Sequence, residues 1–356
     1  MTRSQTFTRR LGIRHPVIQA PMAVIGTPEL AAAVSNAGGL GSLALGHLTV
    51  AQAAEQIRKT RVLTTAPFSV NFFCHQPPKR SDEQDIAWLQ FLAQKTGVPR
   101  AALPEQLREI YDTAYANAPL LDMLLAERPA LVSFHFGVPE VAAIKALRDA
   151  GIVTMATATS LAEAQQIEAA GIDMLCAQGY EAGGHRGIFD PAEDLKLSTF
   201  ALTRLLVSKC NLPVIAAGGI MDGAGIAAVI NLGAAGAQLG TAFIACPESS
   251  ASAAYRAQLL GAGAYNTAVT ANISGRPARG MVNRMYFSAH AGKVPDYPVA
   301  YDAAKVLNQW ANAQGNYDYA AHWAGQGAPL AREMPAAQLL DVLVEEWQRA
   351  SSAAGQ

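Results

Sequence analysis

The amino-acid sequence predicts an α/β fold, a (β/α)8 TIM barrel. Three observations carry that expectation: eight short apolar runs, glycine-ended helical patterns between most of them, and a strand-to-strand repeat of roughly 21–29 residues, the length of a βα unit. The runs are Pro16–Met22, Leu40–Leu45, Phe68–Phe73, Leu131–Gly137, Val153–Thr159, Met174–Gly179, Pro213–Ile220 and Ala237–Ile244. Most are almost continuously apolar, as parallel strands buried on both faces must be. Between them PELAAAVSNAGG, PEVAAIKALRDAG, SLAEAQQIEAAG and DGAGIAAVINLG begin beside Thr27-Pro28, Pro139, Ser160 and Asp222. Each stops at a glycine able to take the left-handed conformation that ends a helix. Eight such units point to a closed barrel rather than an open sheet.

Two spacings break the rhythm. An insertion after the third strand, about Cys74–Pro129, carries Pro77-Pro78 and two helical patches, Asp82–Thr96 and Pro104–Asn117. After the eighth strand, Pro247–Ala331 shows no further βα repeat. The expected organisation is a barrel over residues 1–246 with the helical insertion at about 74–130. A cap and substrate region follows at 247–331, and a closing segment at 332–356. In that segment Pro335–Ala350 is amphipathic and is expected to lie as a helix on the barrel. Insertion and cap region are expected to cover the C-terminal mouth, where barrel active sites lie.

Composition narrows the class. Of 356 residues 51% are hydrophobic and 15% charged, enough to bury a large core and too apolar for a disordered chain. The 27 basic and 28 acidic side chains nearly cancel and form no basic run, so neither nucleic acid nor an anionic membrane is an expected partner. No secretory or membrane-spanning apolar stretch is read. Cys74, Cys176, Cys210 and Cys246 form no CxxC and read as reduced thiols, so no metal centre is expected. A cytoplasmic enzyme, monomer or homodimer, fits these features.

Three features converge on the mouth. Ala216–Ile220 (AAGGI) and Gln238–Thr241 (QLGT) end strands seven and eight, the usual phosphate site of a barrel. There Gly218, Gly219, Leu239, Gly240 and Thr241 bring backbone amides close to an anion. Strand one ends in QAPM, so Ala20, Pro21 and Met22, with Asn71 at the end of strand three, would suit a flat heteroaromatic ring. Strand six runs into AQGYEAGGHRG, Ala177–Gly187. There Gln178 can hydrogen-bond a ring edge, Gly183-Gly184 permits a tight loop, and His185 is thrust towards the mouth. His135, inside SFHFG on strand four, could reach the same space or be a satisfied core histidine. Arg186 could contact a substrate or pair with a nearby carboxylate.

Taken in order, QAPM, Asn71, AQGYEAGGHRG, AAGGI and QLGT resemble the class I nitronate monooxygenases over nearly the whole chain. Tyr297–Lys305 (YPVAYDAAK) is similar to the C-terminal motif of the bacterial enzymes that prefer propionate 3-nitronate. The resemblance implies FMN held by Asn71, Gln178, Gly183, Gly219 and the Gln238–Thr241 loop, with Ala20, Pro21 and Met22 lining its ring. It implies His185 as the active-site histidine, and Tyr111, Tyr297, Tyr301 and Lys305 near the substrate. Four-residue spacing would put the last three on one helix face. The implied reaction is oxidation of a nitronate by O2 to a carbonyl compound with nitrite and nitrate, a detoxification. Lys305, the tyrosines and a protonated His185 would hold the anion. With a neutral nitroalkane, His185 would be the general base.

Two rivals stay open. A flavin-dependent enoyl-carrier-protein reductase would need NADH and room for an acyl chain; the polar YPVAYDAAK segment favours a small anion instead. A barrel that binds FMN or a sugar phosphate without turnover has no use for His185. An inosine-monophosphate-dehydrogenase-like reading needs a nucleophilic cysteine on a mouth loop, where none stands.

Overall fold

The computed structural model describes residues 1–288 and 294–353. The expected barrel strands are β1 (Val17–Gln19), β2 (Gly41–Ala44), β3 (Phe68–Phe73), β4 (Leu131–His135), β5 (Val153–Ala158), β6 (Met174–Gln178), β7 (Val214–Ala217) and β8 (Gly236–Leu239). They pair in parallel in the order β1-β8-β7-β6-β5-β4-β3-β2. Ile18 bridges Leu40 to close the ring, with the Gln19 amide donating to Leu40 and the Leu40 amide to Val17. Registers Asn71↔Ser133 and Ala217↔Gln238 bring the polar Asn71, Ser133 and Gln238 near one rim.

The helices between strands are fixed at their starts by side chains. Thr27, Ser160 and Asp222 each accept from the amide three residues on, worth about 1 kcal/mol per cap. A helix at Arg3–Leu11 plugs the N-terminal end: Phe7 and Leu11 bury against Ile18, Leu131, Met174 and Ile215. That seal leaves the C-terminal end as the open one.

Several expectations shift. The eighth apolar run stops being a strand at Leu239, where Gly240 leaves extended geometry and Thr241–Phe243 coils into a 3-10 turn. Asp82–Thr96 is a helix between Ser81 and a left-handed Gly97. Pro104–Asn117 is not. There the Arg108 amide donates to Asp302 and the Ala114 amide to Phe73, so neither is free for a helical ladder. Asn117 instead caps the next helix, Ala118–Glu127.

Two strands of the segment after β8, Thr267–Thr270 and Ala278–Met281, form a three-stranded antiparallel sheet with Gly184–His185 of the loop after β6, with Ala278 opposite His185. Helix Val299–Asn312 follows. Its Val299, Ala303 and Leu307 pack on Trp88, Leu89 and Leu92 of the insertion, joining the two irregular regions in one apolar cluster above the mouth. The closing helix, Ala336–Ala353, lies on Gly223–Asn231, where any side chain at 223 would strike the Trp347 amide at 2.1 Å. Residues 354–356, the end of the expected closing segment, lie outside the described residues, as do 289–293. Among the described residues no helix is long and apolar enough to cross a membrane.

Candidate active site

A cavity of about 470 Å³ opens at the C-terminal mouth. Ala20, Pro21, Met22, Asn71, Tyr111, His135, Gln178, Gly183, Gly184, His185, Gly218, Gly219, Gln238, Gly240, Thr241, Tyr297, Tyr301 and Lys305 all line it. Leu239 does not; it is buried with Val17, Ala216 and Ala237 in the barrel wall.

One end is made of backbone. Gly218 and Gly219 adopt φ of 121° and 71°. A methyl group on Gly218 would sit 2.6 Å from the Thr199 hydroxyl and 3.1 Å from the Ala182 amide, so glycine is required twice over. Among the described residues the amides of Gly219 and Thr241 donate to no acceptor within the chain, and Thr241 opens the 3-10 turn. Unpaired amides at a turn start form an anion cradle. Beside them Gln238 Oε1 is buried without a partner while its Nε2 leans on Cys176 Sγ at 3.5 Å, so an external donor is wanted there. Burial pushes the Cys176 thiol up to about 12, which keeps it neutral.

The loop after β6 joins this end to the other. Arg186, fully buried, donates to Asp194, to the carbonyls of Gln178 and Gly179, and to Gln178 Oε1. That decides its ambiguity in favour of the carboxylate. Gln178 in turn donates through Nε2 to the His185 carbonyl at 2.9 Å. Gly183 lets the backbones of Ala324 and Gly325 approach, since a methyl there would lie 2.6 Å from the Gly325 nitrogen. The Gly325 amide then reaches Thr241 Oγ1, and the Gln326 amide the Glu181 carbonyl.

The other end is made of side chains. The His185 ring lies 5.5 Å from Tyr297, 6.1 Å from Tyr301 and 5.3 Å from Trp323, and its Nε2 is 2.8 Å from Ser274 Oγ. Burial, with the charge of Arg276 nearby, pushes the imidazole down to about 3. It is therefore neutral near pH 7, a correction to the expected cation. His135 has both nitrogens engaged. Nε2 bonds the His185 carbonyl and must carry the hydrogen, which leaves Nδ1 to accept from Thr157 Oγ1 at 3.0 Å. It faces the cavity but holds the His185 backbone.

Tyr297 precedes the helix on which Tyr301 and Lys305 sit, so the three do not share one helix face. They still meet, because Tyr111 from the insertion lies 6.2 Å from Tyr297 and 5.9 Å from Tyr301. Lys305, exposed at the rim, holds its ammonium 4.7 Å from the Tyr111 ring and 5.6 Å from that of Tyr301. Burial of the phenol raises Tyr111 above the usual tyrosine range, and it stays protonated as a donor.

The nitronate monooxygenase family profile matches residues 4–346. The chain belongs to the nitronate monooxygenase family. A nitronate monooxygenase of Pseudomonas aeruginosa is 54% identical over 96% of this chain and 98% of its own. One from Paraburkholderia phytofirmans is 54% identical over 94% and 93%. Among solved structures, a nitroalkane oxidase from Streptomyces ansochromogenes is similar at a TM-score of 0.89 and 39% identity, covering 98% of this chain and 99% of that one. FabK from Thermotoga maritima follows at 0.74 and 28%, covering 98% and 97%. As a member of this nitronate monooxygenase family the chain is an oxidoreductase, and its relatives support nitronate oxidation.

Sequence reasoning missed Ser274, Arg276, Phe136 and Trp323. Phe136 holds a φ of 74°, a costly conformation for an aromatic residue, and its ring meets both His185 at 5.7 Å and the Arg276 guanidinium at 4.4 Å. The signal available for Ser274 was the turn sequence Ser274-Gly275-Arg276-Pro277, which by itself reads only as a loop.

Proposed function

We propose that this chain binds FMN and oxidises propionate 3-nitronate and other small alkyl nitronates with O2, giving the carbonyl compound with nitrite and nitrate, as a cytoplasmic detoxifying enzyme acting as monomer or homodimer. The carrying observation is that one cavity joins an anion cradle of glycine amides to a half-buried, neutral imidazole and a cation at the rim.

The residues present fit that cofactor. The Gly219 and Thr241 amides would take the phosphate, the orphaned Gln238 Oε1 would accept a polar hydrogen, and Ala20, Pro21 and Met22 would line the ring. Asn71, anchored through Nδ2 to Ser133, keeps Oδ1 free of intrachain bonds among the described residues, a second acceptor for a ring N–H. When bound, FMN would take electrons from the nitronate and pass them to O2.

The chain's own residues do the rest. Protonated Tyr111 and Tyr297 offer hydroxyl donors, the latter buried without an intrachain partner. Lys305 has no ion-pair partner among the described residues and would receive the carboxylate of the substrate's tail. Phe136, Trp323 and the tyrosine rings exclude water around His185, which strengthens each polar contact there. With a neutral nitroalkane, His185 would take the proton from the carbon next to the nitro group.

The similarity to FabK keeps an NADH-dependent reductase as the second reading. Anaerobic mixing separates them: bleaching of the yellow protein by propionate 3-nitronate and not by NADH supports the proposal. Fast bleaching by NADH alone, or a purified protein that takes up no FMN, overturns it.

A further inference from the structure

His185 serves as a base only if the nitrogen open to substrate carries no hydrogen. Its Nε2 meets Ser274 Oγ at 2.8 Å, while Nδ1 makes no hydrogen bond among the described residues and the ring lines the cavity. The tautomer therefore turns on which way the Ser274 hydroxyl points. Ser274 is fully buried, and its Oγ lies 3.2 Å from the Arg276 carbonyl and 3.4 Å from the Arg276 amide.

A serine hydroxyl has one hydrogen and two lone pairs, so two arrangements exist. If it points at His185 Nε2, the hydrogen moves to Nδ1 and the Arg276 carbonyl is left bare. That carbonyl has no other donor among the described residues, and Arg276 is 5% exposed, so water does not replace the bond readily. If the hydroxyl points at the Arg276 carbonyl, Oγ accepts from Nε2–H, and the serine, Nε2 and the carbonyl are all paired. The second arrangement makes two bonds where the first makes one, and a buried acceptor left unmade favours it by roughly tenfold or more.

The surroundings hold that geometry. Gly275, at a φ of 90°, lets the turn lie so close to the next segment that a side-chain carbon there would sit 2.5 Å from the Tyr297 nitrogen. The Arg276 guanidinium is tied to the Ile188 and Phe189 carbonyls just beyond the His185 loop. The turn that carries Ser274 is thus held between the His185 loop and the backbone of residues 295–297.

We propose that Ser274 is a positioning residue that holds His185 as the Nε2–H tautomer and so presents a bare Nδ1 lone pair to the substrate. The proposal rests on the functional reading above and extends it to neutral nitroalkanes. There the C–H bond next to the nitro group breaks, its electron pair stays on the substrate to give the nitronate, and the proton goes to Nδ1. The resulting imidazolium keeps Nε2–H on Ser274.

Nitrogen-15 spectra of the histidine-labelled holoenzyme test this directly, with His185 assigned by difference against His185→Ala. The expected result is a protonated Nε2 and a bare Nδ1; the reverse overturns the proposal. In Ser274→Ala the two tautomers should mix. There kcat/KM for a neutral nitroalkane should fall roughly tenfold further than kcat/KM for its nitronate, which has no such proton to lose. Equal losses on both substrates would reduce Ser274 to a packing role and also overturn it. If the wild-type enzyme oxidises no nitronate, the functional reading fails, while the spectra still report the tautomer.

Discussion

The two ends of the cavity are built from different materials. At the cradle, Gly218, Gly219, Gly240 and Thr241 act through backbone geometry fixed by barrel strands β7 and β8. At the opposite end Tyr111, His185, Tyr297, Tyr301 and Lys305 act through side chains brought together from the insertion, the β6 loop and the segment after the barrel. A backbone cradle is insensitive to protonation and intolerant of any added carbon. A side-chain wall is the reverse: it titrates, and single groups can be exchanged with graded effect.

Acid is the harshest test of that contrast. His47, His75, His135 and His322 are pushed down to about 4 and His185 to about 3, in each case chiefly by burial. His47 packs on Tyr111 and His75 on Tyr297, so the titrating groups crowd the side-chain end. Each is neutral when folded, while the unfolded chain binds a proton once pH drops below about 6.5. Their contribution is therefore intact above that pH and is lost as pH falls towards 4 and then 3. The loss is about 1.4 kcal/mol per pH unit for each proton taken up. Thermal melts should lose on the order of 10 °C or more between pH 7 and pH 5. A flat Tm would break the contrast.

Next in size, His185→Ala should keep its flavin absorbance while turnover of neutral nitroalkane falls about 100- to 10,000-fold in steady-state oxygen uptake. Unchanged turnover would remove the base from the side-chain end. Gly218→Ala attacks the other end: a left-handed φ of 121° and a 2.6 Å contact should weaken FMN binding about 100-fold, read by fluorescence titration. Retention of full affinity would show the cradle to be elsewhere. Smallest, Lys305→Met should raise KM for a carboxylate-bearing nitronate roughly 5- to 10-fold and that for an alkyl nitronate less than about twofold, because the ammonium is exposed at the rim. Equal shifts would separate Lys305 from carboxylate recognition.

The same division explains what the sequence made legible. Strand runs and glycine-ended helices are local patterns, so the barrel and the glycines at its last two strand ends could be read directly. The side-chain end depends on long-range contact. Pro104–Asn117 looks helical, yet its amides bond to Asp302 and Phe73 far away in sequence, and that tertiary demand overrides the pattern. Tyr297, Tyr301 and Lys305 were read as a helical stripe, whereas Tyr297 enters the site from the turn before the helix. Locally Ser274 reads only as part of a turn, since its meaning comes from His185, 89 positions away.

The seam where Gly183 meets Ala324 and Gly325 has a kinetic side. Whatever rests on the cradle is strapped in from above by a stretch of chain whose amides hook onto Thr241 and the Glu181 carbonyl. If the proposed cofactor rests there, these hooks would have to open before it could leave, and its release would be slow. Under the proposed function, a phosphate-bearing cofactor on that cradle would be a lodger across many turnovers, and substrates would be its visitors.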